Sequence, residues 1–79
     1  MRAKAPRAVM TFSTTADAMA LEASAKEHGL PGRMIPVPSA IDAGCGFAWR
    51  CELAERDELL AGAAEYGLAY EGVHEVEMY

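Results

Sequence analysis

Cys45 is the side chain in this 79-residue sequence best placed to do chemistry, because glycine stands on either side of it in Gly44-Cys45-Gly46. A thiol reacts through its thiolate, so access and a neighbourhood that favours negative charge decide what it can do. The flanking glycines supply access: lacking Cβ atoms, they let other groups approach the sulfur, which is expected to stay open. Cys51 lies on a run in which Cys45, Phe47, Trp49, Cys51 and Leu53 alternate with Ala48, Arg50 and Glu52. Such alternation is the mark of a strand with one face toward a core. Six residues of strand span about 20 Å, whereas a disulfide needs Cα atoms within roughly 7 Å. The two cysteines are therefore expected to stay apart, with Cys51 a small core residue.

Other chemistries find no residues to carry them. Two sulfurs spaced along one strand cannot reach one ion, and His28 and His74 fall in unrelated elements. Neither a metal site nor a cofactor is expected. GxGxxG, P-loop, HExxH and Cys-x-x-Cys patterns are absent, which removes the nucleotide, zinc-protease and dithiol readings. With neither histidine near Cys45, a Cys–His hydrolase lacks its base. Glu22 is an oddity. On a helical wheel it joins Ala18 and Ala25 on the inward stripe, flanked by Met19 and Leu21, with Asp17, Ala20, Ser24 and Glu27 outward. A carboxylate there calls for a cation such as Arg33 or Arg50.

The elements that must position Cys45 follow from periodicity and punctuation. Residues 1–6 read as a loose basic tail, and Arg7 to Phe12 as a strand apolar on both faces. Ser13-Thr14-Thr15 follows, with Thr14-x-x-Asp17 shaped to cap a helix that runs to His28 and stops at Gly29. Arg33 to Val37 is a second strand, kept at a sheet edge by Pro36 and Pro38. After the third strand, Phe47 to Leu53, come a helix from about Glu55 to Tyr66 and a strand from Leu68 to about Val76. Strand-helix-strand-strand-helix-strand in so short a chain predicts an α+β ferredoxin-like sandwich: a four-stranded antiparallel sheet with two helices on one face.

That topology brings Cys45, at the top of the third strand, beside Ser13, Thr14 and Thr15 at the start of the first helix. Free N–H groups at a helix start favour an anion, a thiolate included. Ser13, Thr14, Thr15, Gly44 and Gly46 are the expected thiolate-stabilising set. Pro36, Val37 and Pro38, leaving the second strand at the same end, form a stiff wall.

Composition narrows the function further. Hydrophobic residues make up 52% and charged residues 24%, a globular rather than disordered balance. The length suits a single domain over residues 7–79 and leaves no room for two lobes around a cleft. The longest apolar run falls far short of the roughly 20 residues of a membrane span, and no apolar secretory segment follows Arg2, Lys4 and Arg7. A cytoplasmic protein without membrane contact is expected. Net charge is -5, and from Glu52 to Tyr79 eight acids face Arg56 alone. Such a surface repels phosphate backbones, which argues against nucleic acid. It serves solubility, or docking to a basic partner protein.

Phe12-Ser13-Thr14-Thr15, Ala18, Glu22, Arg33-Met34-Ile35-Pro36-Val37-Pro38 and Cys45-Gly46-Phe47-Ala48-Trp49-Arg50 occur in this order. In these motifs the chain resembles the selenium/sulfur carrier-like family of small bacterial proteins, over about residues 7–76. The Ile-Pro-Val-Pro turn followed by Cys-Gly is the most specific element. The resemblance implies that Cys45 bears the chalcogen, with Ser13 to Thr15 and Pro36 to Pro38 around it. Ser39 stands where family members often carry a basic residue.

Three functions are weighed. As a carrier rather than a stand-alone enzyme, the chain takes sulfur or selenium on Cys45 as a persulfide or selenopersulfide. It would pass the chalcogen from a donor desulfurase-type protein to an acceptor. As a non-catalytic ligand-binding or regulatory module, it would use the open sheet face of Ala48, Arg50 and Glu52, with Arg50 on an anion. That face also makes a homodimer possible. A redox sensor ranks last, for want of a resolving cysteine in reach.

Overall fold

Thr14 starts the first helix. Its backbone is extended, with φ -137° and ψ 156°, and its hydroxyl accepts the Asp17 N–H at 3.2 Å. One orphan donor of the first turn is thereby satisfied, and the Asp17 carboxylate adds a favourable charge. Helix α1 (Thr15–His28) closes at Gly29, whose φ of 70° lets its N–H turn back to the Ala25 carbonyl at 2.8 Å. The computed structural model describes residues 4–41 and 45–78. Around α1 it arranges β1 (Ala5–Thr11), β2 (Arg33–Pro36), β3 (Phe47–Glu52), a 3-10 turn (Leu53–Glu55), α2 (Arg56–Glu65) and β4 (Gly72–Met78).

The strands form one antiparallel sheet in the order β2-β3-β1-β4. With the element order β-α-β-β-α-β this is the ferredoxin-like α+β fold expected from the sequence. Between sheet and helices lie Ala8, Met10 and Phe12 of β1 and the turn after it, Ala18, Leu21 and Ala25 of α1, Trp49 and Cys51 of β3, and Leu59 and Ala63 of α2. Each large apolar side chain buried there contributes roughly 1.5–3 kcal/mol. Trp49 loses no hydrogen bond on burial, because its Nε1–H donates to the Pro31 carbonyl at 2.7 Å.

Several boundaries move. β1 starts at Ala5 rather than Arg7, because Ala5 and Pro6 pair with Met78 and Glu77 of a β4 that extends past Val76. β4 starts at Gly72, not Leu68. Gly67, at φ 65°, ends α2 in a left-handed turn, and the Leu68 N–H returns to the Ala63 carbonyl at 2.9 Å. Leu68 thus caps the helix and packs on the core instead of opening a strand. β3 stops one residue before Leu53, where the Glu55 carboxylate takes the Glu52 N–H at 3.0 Å. Met19 is 55% exposed, since the buried stripe of α1 is Ala18, Leu21 and Ala25. Glu22 sits at the edge of that stripe, half-buried, beside Lys26 and Arg33 in a hollow of about 250 Å³. His28 stacks on Tyr66 with centroids 3.8 Å apart and planes within 7°, tying together the ends of α1 and α2.

Candidate functional site

The antiparallel register brings the start of β3 and the end of β1 to one end of the sheet, with Thr11 opposite Ala48. α1 begins four residues after Thr11, so its first turn lies at the mouth of β3. There the Cys45 sulfur is 3.7 Å from the Thr15 hydroxyl, and either atom can be the donor. The Phe47 N–H donates to the same sulfur at 3.4 Å. Of the three residues at the helix start, Thr15 reaches the sulfur. Thr14 is committed to capping through Asp17, and Ser13 is exposed. Gly44, grouped with them on sequence grounds, lies outside the described residues.

The Pro36-Val37-Pro38 segment closes the same end. Pro36 pairs with Phe47, and the Val37 N–H donates to the Gly46 carbonyl at 3.1 Å. The two prolines restrict φ on either side of that bond, so the segment is a rigid neighbour to the Gly46-Phe47 peptide. The Pro38 carbonyl takes the Ile41 N–H at 2.9 Å, closing a turn over residues 38–41.

Two features differ from expectation. Cys45 is 6% exposed, where its flanking glycines suggest an open thiol. Its sulfur turns inward beneath the helix start and joins the edge of the core cluster, held by Thr15 and Phe47. Phe47, expected in the core with Trp49, is 45% exposed. It stands at the end of β3, paired with Pro36 of the edge strand. Space remains at the site, because a Cβ built on Gly46 would meet nothing within 4 Å. The apolar, exposed Phe47 adjoins it through its N–H, and Met19, one turn beyond Thr15 on α1, is exposed as well. Alternation along β3 predicts the face on which Phe47 lies but not its exposure.

Cys51 has a different environment. It is 1% exposed, opposite Ala8 on β1. Burial first, then the carboxylates of Glu55 and Glu52, push its thiol up to about 11, with Arg50 opposing them. It remains a thiol. Both cysteines are free. Among the described residues, no group of His, Cys, Asp and Glu could hold a metal ion. No helix among them is long and apolar enough to cross a membrane.

Fold and geometry together define a small α+β sandwich that holds one cysteine against the start of its first helix, with Val37, between two prolines, bonded to the next residue, Gly46. A family defined by sequence matches residues 7–75 and is described as "Putative Se/S carrier protein-like". The chain belongs to this family. Comparison with curated proteins and with solved structures gives no match.

Proposed function

We propose that the protein carries sulfur or selenium on Cys45 and passes it between partner proteins. The observation that carries this reading is the pair of polar groups at one sulfur: the Thr15 hydroxyl at 3.7 Å and the Phe47 N–H at 3.4 Å, at the N-terminal end of α1. Hydrogen bonds to a charged sulfur are stronger than to a neutral one, so these two groups are placed to hold a perthiolate carried on that atom. Family membership points the same way.

The transfer needs no net redox change. The Cys45 thiolate attacks the outer sulfur of a donor persulfide. A new S–S bond forms at Sγ, the donor's own S–S bond breaks, and the donor departs as a thiolate with the bonding pair. The proton of the outer sulfur travels with it. Release reverses the roles: an acceptor nucleophile takes the outer sulfur, and Cys45 leaves as thiolate. Selenium follows the same path from a selenopersulfide. The reaction asks for no general acid and no cleft.

Loading requires the sulfur to turn outward, and Gly46 with open space around it is the joint that permits this. Phe47 and Met19 offer apolar contact to a donor or acceptor, while the acidic C-terminal half steers a basic one. Free thiols suit the reducing cytoplasm. The experiment is to incubate the protein with a cysteine desulfurase and cysteine, then weigh it intact. Gain of one sulfur atom on Cys45, removable by a reducing thiol, supports the carrier. No gain, under conditions where a known carrier is loaded, refutes it.

A further inference from the structure

The sheet face without helices holds a second, chemically different feature. On it, Arg33 of β2 stands directly opposite Arg50 of β3, and Arg7 of β1 lies diagonal to Arg50, opposite Glu52. Side chains directly opposite in an antiparallel pair have Cβ atoms about 4.5–5.5 Å apart, and like charges so placed repel. This face gathers three of the seven basic residues of a chain whose net charge is -5. The two carboxylates beside Arg50 are already engaged. Glu52 pairs with Arg7 at 2.9 Å and with Arg50 at 4.0 Å, and Glu55 accepts the Glu52 N–H at 3.0 Å. Arg33 forms no ion pair among the described residues. Arg7 Nε is buried and has no acceptor among them.

Beside the arginines is a hollow of about 320 Å³, where β2 begins short of the end of β3. Arg33, Arg50, Glu52 and Glu55 line it, with Gly32 at its rim. Gly32 is constrained: its φ is 107°, and a Cβ there would collide with the Arg50 carbonyl and Trp49 Nε1. The chain therefore enters β2 tight against β3, and this close approach sets Arg33 against Arg50. Two guanidinium groups and two carboxylates line the hollow; Arg7, outside it, takes up Glu52, and Arg33 is left without an ion pair among the described residues. A hollow of this size takes a small molecule.

We propose that this hollow binds a small molecule through an oxyanion, a carboxylate or phosphate group gripped between the guanidinium forks of Arg33 and Arg50. Guanidinium forks match both oxyanions in geometry and charge. The anion relieves the Arg33–Arg50 repulsion. The site is separate from Cys45, which lies at the other end of β3, and does not depend on sulfur transfer.

The test titrates the full chain with inorganic phosphate and, separately, with acetate at constant ionic strength, following the arginine Nε–Hε signals by NMR. The expected result is a saturable shift of Arg33 and Arg50 with at least one anion. Saturation by phosphate alone or acetate alone identifies the class. Arg33→Gln, at an exposed edge-strand position, should raise the half-saturation concentration roughly tenfold. Arg33→Lys, which keeps the charge and loses the fork, should fall between. Cys45→Ser should bind like the parent, whether or not sulfur loading succeeds. Shifts that never saturate with either anion, or an Arg33→Gln midpoint equal to the parent's, overturn the proposal.

Discussion

The two cysteines lie six residues apart on one run of chain and both reach the core side of the sheet, yet their surroundings differ. Cys45 is 6% exposed and Cys51 1%, so depth alone separates them little. Neighbours separate them more. The Cys45 sulfur meets a hydroxyl and an N–H at a helix start. Cys51 lies in mid-strand with Glu55, Glu52 and Glu58 about it, and burial with those charges holds its proton to about pH 11. Reactivity in so small a frame is set by which polar groups face the sulfur.

The largest expected effect is all-or-none. Cys45→Ser should abolish sulfur loading by a desulfurase, whereas Cys51→Ala should load as the parent does, with intact mass as the readout. Loading that survives Cys45→Ser and disappears in Cys51→Ala would invert the comparison. Next comes alkylation, followed for each cysteine in the native protein and in denaturant. A thiol raised from 9.0 to about 11 keeps on the order of a hundredfold less thiolate near neutral pH, so Cys51 should label at least that much more slowly when folded. Cys45 should lose far less. Equal protection of both would erase the distinction.

Cys51 also predicts a pH effect on stability. Its pKa is higher in the folded state than in the unfolded chain, so the folded state binds the proton more tightly. The resulting stabilisation is complete below about pH 9 and is lost as pH rises through about 11. The full loss is on the order of 3 kcal/mol. Urea midpoints measured from pH 8 to 11 should fall more steeply for the parent than for Cys51→Ala. Tyrosines and lysines titrate equally in both, so the difference isolates the thiol. Parallel curves would mean that Cys51 ionises as readily folded as unfolded.

Much of this contrast is legible in the sequence, for identifiable reasons. Strict alternation from Cys45 to Leu53 assigns both sulfurs to one face, and the order of elements brings Thr15 to Cys45. Thr14 and Gly29 mark the ends of α1 because capping is local chemistry. Three features are not legible. Inward rotation of the Cys45 sulfur depends on how α1 seats over the sheet, a tertiary fact. The exposure of Phe47 depends on what packs over the first residue of β3, which alternation does not encode. The start of β4 is ambiguous because Leu68, apolar and following a glycine, serves a helix cap as readily as a strand. The Arg33–Arg50 pair is a matter of register, fixed by the tight entry at Gly32.

The smallest effect tests the cause of the contrast most directly. Thr15→Val keeps the shape of the side chain and removes the hydroxyl 3.7 Å from the Cys45 sulfur. A hydrogen bond to a charged group is worth about 1.5–3 kcal/mol, so the initial rate of sulfur loading should fall roughly tenfold. Thr15 is exposed, and stability should change by no more than about 0.5 kcal/mol. Thr14→Ala is the counterpart. It removes the cap on Asp17 and should cost about 1 kcal/mol in urea denaturation while leaving the rate of loading within about twofold. If Thr14→Ala slows loading and Thr15→Val does not, the helix start acts on the sulfur through its backbone and not through the hydroxyl. The difference between the cysteines would then rest on the end of α1 as a whole.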